Sequence, residues 1–135
     1  MPEQTPEESF REYIVDRLQD AVNAWCRGDL GGVMDVYLPG ESTSSLMGNV
    51  VNWDYDGILK SYRKSIVDRE EREMHIQVDE VVLFGAAEAA EYAYVFGQLA
   101  KLMKDGTDGC ENFTLFMKCV RGDEDTWYIF KEHRS

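Results

Sequence analysis

Apolar residues recur at Phe10, Ile14, Leu18, Ala21, Val22 and Trp25, three or four positions apart, and so line one stripe of a helix. Thr5-Pro-Glu-Glu or Ser9 can start it, with Pro at an early position and acids in the first turn. Residues 1–8 read as a short tail and 9–135 as one domain. Gly28 ends the helix, and Asp29 caps a short second one carrying Leu30, Val33, Met34 and Tyr37 before Pro39-Gly40 stops it. Glu41 to Val51 is rich in Ser, Thr and Gly and reads as a strand and turn, a hairpin around Gly48-Asn49. Asp54 caps a third helix with Ile58, Leu59, Tyr62 and Ile66 inward.

After the charged connector Asp68 to Glu73 the period changes to two. Met74, Ile76 and Val78 alternate with His75, Gln77 and Asp79, and the run Val81 to Phe84 shifts parity, which predicts a bulge. Gly85 to Glu88 is a turn. From about Ala89 to Leu102, Tyr92, Tyr94 and Phe96 fall on one face, with Ala93, Val95 and Leu99 on the other. Asp105 to Gly109 is a turn; Asn112 to Val120 is a strand with Phe113, Leu115, Met117 and Cys119 on one side; Arg121 to Asp125 turns into a last strand from Thr126 to about Glu132. Helices first and then four strands on short loops argue an α+β fold, a curved antiparallel sheet with its helices on one face.

Composition narrows the partners. The 135 residues carry a formal net charge of -12, which disfavours nucleic acid and anionic membranes, since both need clustered Lys and Arg. No apolar run approaches the roughly 20 residues of a membrane span, and the acidic start lacks a signal peptide's basic and apolar regions. Cys26, Cys110 and Cys119 make an odd count without a CxxC, which fits a reducing compartment and points to the cytoplasm. With two distant histidines and no zinc-type Cys spacing, no metal site is expected. No Gly-x-Gly-x-x-Gly or P-loop occurs, so no cofactor is expected.

The first helix ends Trp25-Cys-Arg-Gly-Asp29, a Tyr follows eight residues on at Tyr37, and the last strand runs Gly122-x₄-Trp127-x-Ile129-x₃-His133-x-Ser135. This series resembles the SnoaL-like/DUF4440 branch of the NTF2-like superfamily over nearly the whole chain. The resemblance implies a small α+β cone, cystatin-like in outline, with a pocket between helices and sheet. It names no reaction, because that superfamily holds isomerases, cyclases, hydrolases, transport factors and oligomerisation domains. Trp25, Tyr37, Trp53, Tyr62, Tyr92, Tyr94, Phe113, Met117 and Trp127 are the candidate pocket walls, suited to a flat apolar ligand; the same periodicity also describes residues that only fill a core. Aligned on Gly28-Asp29, the tyrosine of the related ketosteroid isomerases falls near Ala21. Their base falls among Thr43 to Ser45, with Glu41 the only nearby carboxylate. Isomerase chemistry of that type therefore lacks its residues. The polyketide cyclases of the superfamily use a cavity His or Asp, and here His133 is the candidate acid or base. It shares strand parity with Trp127 and Ile129, which points it inward. His75 lies opposite Ile76 in parity and reads as exposed.

Two functions fit. One is a pocket protein that binds a small apolar or aromatic ligand, with or without metal-free isomerase- or cyclase-type chemistry. The other is a homodimerisation module: the strand around Tyr92 to Leu99 is apolar on both faces, and helices cover only one, so a second copy is expected on the other.

Overall fold

The computed structural model describes residues 4–85 and 89–135. Helix α1 spans Pro6–Arg27 and begins inside the expected tail. Its start is set by a capping box: the Thr5 hydroxyl accepts from the Glu8 N–H at 3.1 Å, and the Glu8 carboxylate accepts from the Thr5 N–H at 3.3 Å. Thr5-Pro-Glu-Glu is thus the start signal, not Ser9, and the boundary at residue 8 moves forward. Gly28 closes the helix at φ 78°, the left-handed conformation that a side chain would strain, while Asp29 donates its N–H to the Ala24 carbonyl at 2.8 Å. The Asp29 carboxylate then accepts from the Gly32 N–H at 3.0 Å and starts the short helix α2, Leu30–Met34.

Strands β1 (Ser44–Met47) and β2 (Val50–Trp53) form the expected hairpin around Gly48. Helix α3 covers Asp54–Ile66, where the Asp54 carboxylate accepts from the Gly57 N–H at 2.8 Å. Four longer strands follow: β3 (Glu71–Phe84), β4 (Tyr92–Met103), β5 (Asp108–Val120) and β6 (Thr126–Arg134). The expected turn after Gly85 lies, from Ala86 to Glu88, outside the described residues. All six strands join in one sheet of order β2-β1-β6-β5-β4-β3. It is antiparallel except where β1 runs parallel to β6, a pairing that strand periodicity could not reveal.

Besides a register shift at the start of β3, between Glu71 and Glu73, two irregularities bend the sheet. The first is the expected one in β3, where the register with β4 slips between Val78 and Glu80. The second lies in β6: Ile129 pairs with Met117 and Lys131 with Phe116, so Phe130 is an extra residue with no partner across the ladder. An extra residue reverses the alternation of every side chain beyond it.

The concave face and the helices enclose the core. Ile14, Leu18, Ala21 and Ala24 of α1 are buried with Ile58 and Ile66 of α3, against Ala93, Val95 and Leu99 of β4 and Leu115 and Met117 of β5. Ile14, Ile58 and Met117 lose all contact with water, and each such side chain contributes about 1.5–3 kcal/mol of transfer free energy. Among the described residues no helix is long and apolar enough to cross a membrane.

The outer face of the sheet carries Tyr92, Tyr94, Phe116 and Phe130 in edge-to-face contact, with ring centroids 5.4–6.5 Å apart. No helix among the described residues covers them, and Tyr92 and Phe116 keep 41% and 40% of their surface in water.

Candidate functional site

A cavity of about 100 Å³ opens between α1, α2, α3 and the concave face of the sheet. Leu18, Ala21, Val22 and Trp25 of α1 form its roof, Val33, Val36 and Tyr37 one flank, and Met74, Ile76, Leu99, Phe113, Leu115 and Ile129 the floor. Its size approaches the ~150 Å³ that accommodates a benzene-sized molecule, so it suits one ring or a short chain rather than a fused polycyclic one.

One end of the cavity is polar, and its centre is Glu132. The Phe130 bulge turns this carboxylate inward, where it is 8% exposed. Tyr37 donates to it, with 2.9 Å to either oxygen. Ser45 of β1 donates to Oε1 at 2.8 Å. The Tyr62 hydroxyl lies 3.3 Å from Oε1 and 2.8 Å from the Tyr37 hydroxyl. Three elements and the parallel β1–β6 pairing, which sets Ser45 opposite Glu132, build this cluster. Burying a carboxylate is unfavourable unless donors surround it. Here the donors are hydroxyls, and no ion pair among the described residues includes Glu132. Burial, above all, pushes both tyrosine pKa values up, and the Glu132 charge adds to it, so both phenols stay protonated.

A row of alternating charges runs along the adjacent wall. The Trp25 indole N–H donates to Glu71 at 3.1 Å. Lys101 lies 4.0 Å from Glu71 and 3.1 Å from Glu111. Arg134 Nε sits 3.1 Å from the other Glu111 oxygen, at an angle that leaves both atoms buried without an aligned hydrogen bond. Burial works against the Arg134 charge, but Tyr62 and Glu132 beside it outweigh that and raise its pKa. Burial would raise the pKa of Glu71; the Trp25 hydrogen bond, backbone donors and Lys101 reverse the effect and lower it.

The structure sorts the expected site residues. Trp25, Tyr37, Tyr62 and Phe113 line the cavity. Met117 is fully buried in the core, and Trp127 packs on Phe10 at a centroid distance of 4.8 Å; neither reaches the cavity. Trp53 is 73% exposed at the start of α3, and Tyr92 and Tyr94 lie on the outer face, so these three are not walls. His133 is also displaced. The extra residue at Phe130 breaks its parity with Trp127 and Ile129, and its side chain is exposed on the face opposite Glu132. The inward positions at the end of β6 belong to Glu132 and Arg134, which parity counted straight through Phe130 assigns to the outside. His75 is exposed, as expected. Ser45 falls in the segment where the resemblance placed an isomerase base, but the carboxylate there comes from β6 instead. Among the described residues no cluster of three or more His, Cys, Asp or Glu side chains is arranged to hold a metal ion.

No family model matches the sequence, and no curated protein matches it. Solved structures do. An NTF2-like protein of unknown function from Shewanella oneidensis is 25% identical with a TM-score of 0.77, over 93% of this chain and 98% of that one. An NTF2-like superfamily protein from Salmonella enterica is 10% identical with a TM-score of 0.63, over 94% of this chain and 90% of that one. A ketosteroid isomerase-like protein from Erwinia carotovora is 15% identical with a TM-score of 0.61, over 89% of this chain and 90% of that one.

Proposed function

Starting from an NTF2-like α+β fold, we propose that this chain is a small-molecule pocket protein of the SnoaL-like/DUF4440 kind, which takes a compact apolar or aromatic ligand in the cavity beneath α1. The observation that carries this reading is the combination of an apolar cavity with one buried carboxylate cluster at its end. Core residues alone explain the apolar lining. They do not explain why Glu132, Tyr37, Tyr62 and Ser45 are gathered in the interior at the expense of desolvation. Proton transfer of isomerase or cyclase type, without metal or cofactor, falls to Glu132 in this reading. The odd cysteine count supports a reducing, cytoplasmic setting.

Binding of single-ring probes, followed by ligand-detected NMR and by thermal shift, tests the reading. Val36→Phe, which fills the cavity from its flank, should abolish binding and leave the fold intact. Absence of binding by every probe, together with no co-purifying compound in protein from its host, would sink it.

The aromatic outer face supports a second, compatible reading: two copies associate through it. Phe116 and Tyr92 form an exposed apolar patch that a twofold partner would cover. Light scattering over a concentration series should report twice the chain mass of 15.5 kDa, and Phe116→Glu should return it to one. A strict monomer at high micromolar concentration rules the dimer out.

A further inference from the structure

The hydrogen-bond accounting around Glu132 indicates what kind of ligand the cavity accepts. A carboxylate offers about four acceptor sites. Three hydroxyls surround this one, and each carries a single proton. Tyr37 uses its proton on Glu132, since both carboxylate oxygens lie 2.9 Å away. The 2.8 Å contact between the two phenols is then a bond from Tyr62 to the Tyr37 oxygen, and Tyr62 has no second proton for Glu132 at 3.3 Å. Ser45 supplies the other donor. Two protons thus serve about four carboxylate sites, and the Tyr62 oxygen keeps its lone pairs. No backbone or side-chain N–H among the described residues donates to Glu132. The donor chain runs from Tyr62 through Tyr37 to Glu132, so its free end at the cavity presents acceptors.

We propose that the polar end of the cavity is a receptor for a neutral hydroxyl donor, and that the ligand class is a single-ring phenol or a comparable compact alcohol whose O–H donates to the Tyr62–Glu132 oxygens. The inference rests on the pocket reading above. Other ligand chemistries fit less well. Among the lining charges Glu71 and Glu132 already offset Lys101 and Arg134, and both cations also contact Glu111 behind them, so a carboxylate ligand finds no spare positive charge. An organic cation would lie beside Lys101 and Arg134, and the Arg134 guanidinium already sits 6.0 Å from the Tyr62 ring centroid. A purely apolar ligand would leave the spare acceptors buried and unpaired, which is unfavourable.

Titration calorimetry with phenol and toluene, which differ by O–H against CH₃ at similar size, tests the proposal. At neutral pH phenol is un-ionised, since phenolic groups titrate near pH 10. Wild-type protein should bind phenol at least ~10-fold tighter than toluene, the ratio expected for a hydrogen bond to a charged acceptor. Glu132→Gln should remove most of that preference. Tyr37→Phe withdraws a competing donor but keeps the carboxylate, so it should preserve or raise the preference; this variant serves if Glu132→Gln does not fold. Equal or tighter binding of toluene overturns the proposal and leaves the pocket reading standing. Tighter binding of benzoate or of benzyltrimethylammonium than of phenol overturns it likewise, in favour of an anion or a cation. Failure of every probe to bind overturns the proposal, and together with the absence of a co-purifying compound it overturns the pocket reading as well.

Discussion

Removing the Tyr37 hydroxyl by Tyr37→Phe takes one proton from a buried carboxylate whose donors are all hydroxyls. The loss should be about 1–2 kcal/mol in a denaturant melt, because Tyr62 is close enough to redirect its own proton. A neutral result would mean that water already serves Glu132. Trp25 and Ile14 separate two kinds of apolar position on one helix. Ile14 is wholly buried, and Ile14→Ala should cost about 3–4 kcal/mol. Trp25 lies half-buried at the cavity, so Trp25→Ala should cost less, about 2 kcal/mol, despite its greater size; a larger loss than for Ile14 would place the indole in the closed core instead. Glu71 sets part of the acid sensitivity. Its pKa is lowered in the folded state, so its contribution is present above the unfolded value near 4.3 and disappears as pH falls through the lowered folded value. Glu71→Gln should therefore flatten the loss of stability below about pH 5, and unchanged melting curves from neutral to acid would refute this.

At the level of elements, irregularities decide more than regular repeats. Gly97 of β4 faces the β3 bulge. A Cβ there would lie 2.1 Å from the Gln77 carbonyl oxygen and 2.8 Å from the Phe113 ring, so neither backbone nor core can yield cheaply. Gly97→Ala should destabilise by at least ~2 kcal/mol, and retention of wild-type stability would mean that β3 and β4 can separate at no cost. The helices were legible in the sequence because their signals are local: Thr5 with Glu8, Gly28, and the Asp29 and Asp54 carboxylates each act within three or four residues. The β3 bulge was legible because two apolar runs of opposite parity meet there. The Phe130 bulge was not, since Trp127-Tyr-Ile-Phe130 is apolar throughout and conceals a change of parity. That one residue exchanges His133 for Glu132 at the cavity. Trp25 and Tyr62 were found at the wall because their helical stripes face the core, and Phe113 because its strand face does; Tyr37 lies beyond the end of α2, not on it as the spacing suggested, and is held by a bridge to Ile129. Ser45 was missed because it reaches the site only through a strand pairing distant in sequence, and Glu132 and Arg134 because the bulge reverses their parity.

For the whole molecule, charge opposes what the aromatic face favours. Each copy carries -12, so association through the outer face must bring like charges together. Added salt should strengthen the dimer until the repulsion is screened, with the Debye length falling to about 10 Å at 0.1 M. Weakening with salt would indicate that ion pairs, not aromatic packing, hold the copies. The pairing of β1 with β6 also has a kinetic consequence. The turns from β3 to β6 join neighbours, and such contacts close early because little chain must be ordered. Ser45 and Glu132 stand 87 residues apart, and their meeting closes a far longer loop than any hairpin of the meander. The three-hairpin meander can therefore gain protection from hydrogen exchange while the carboxylate still faces water. In pulse-labelled refolding, β4 and β5 amides should be protected before those of β1, and competence to bind should emerge only with the second phase. On this order of events a nearly complete scaffold would precede the proposed receptor, and a ligand present at that stage would capture the last step.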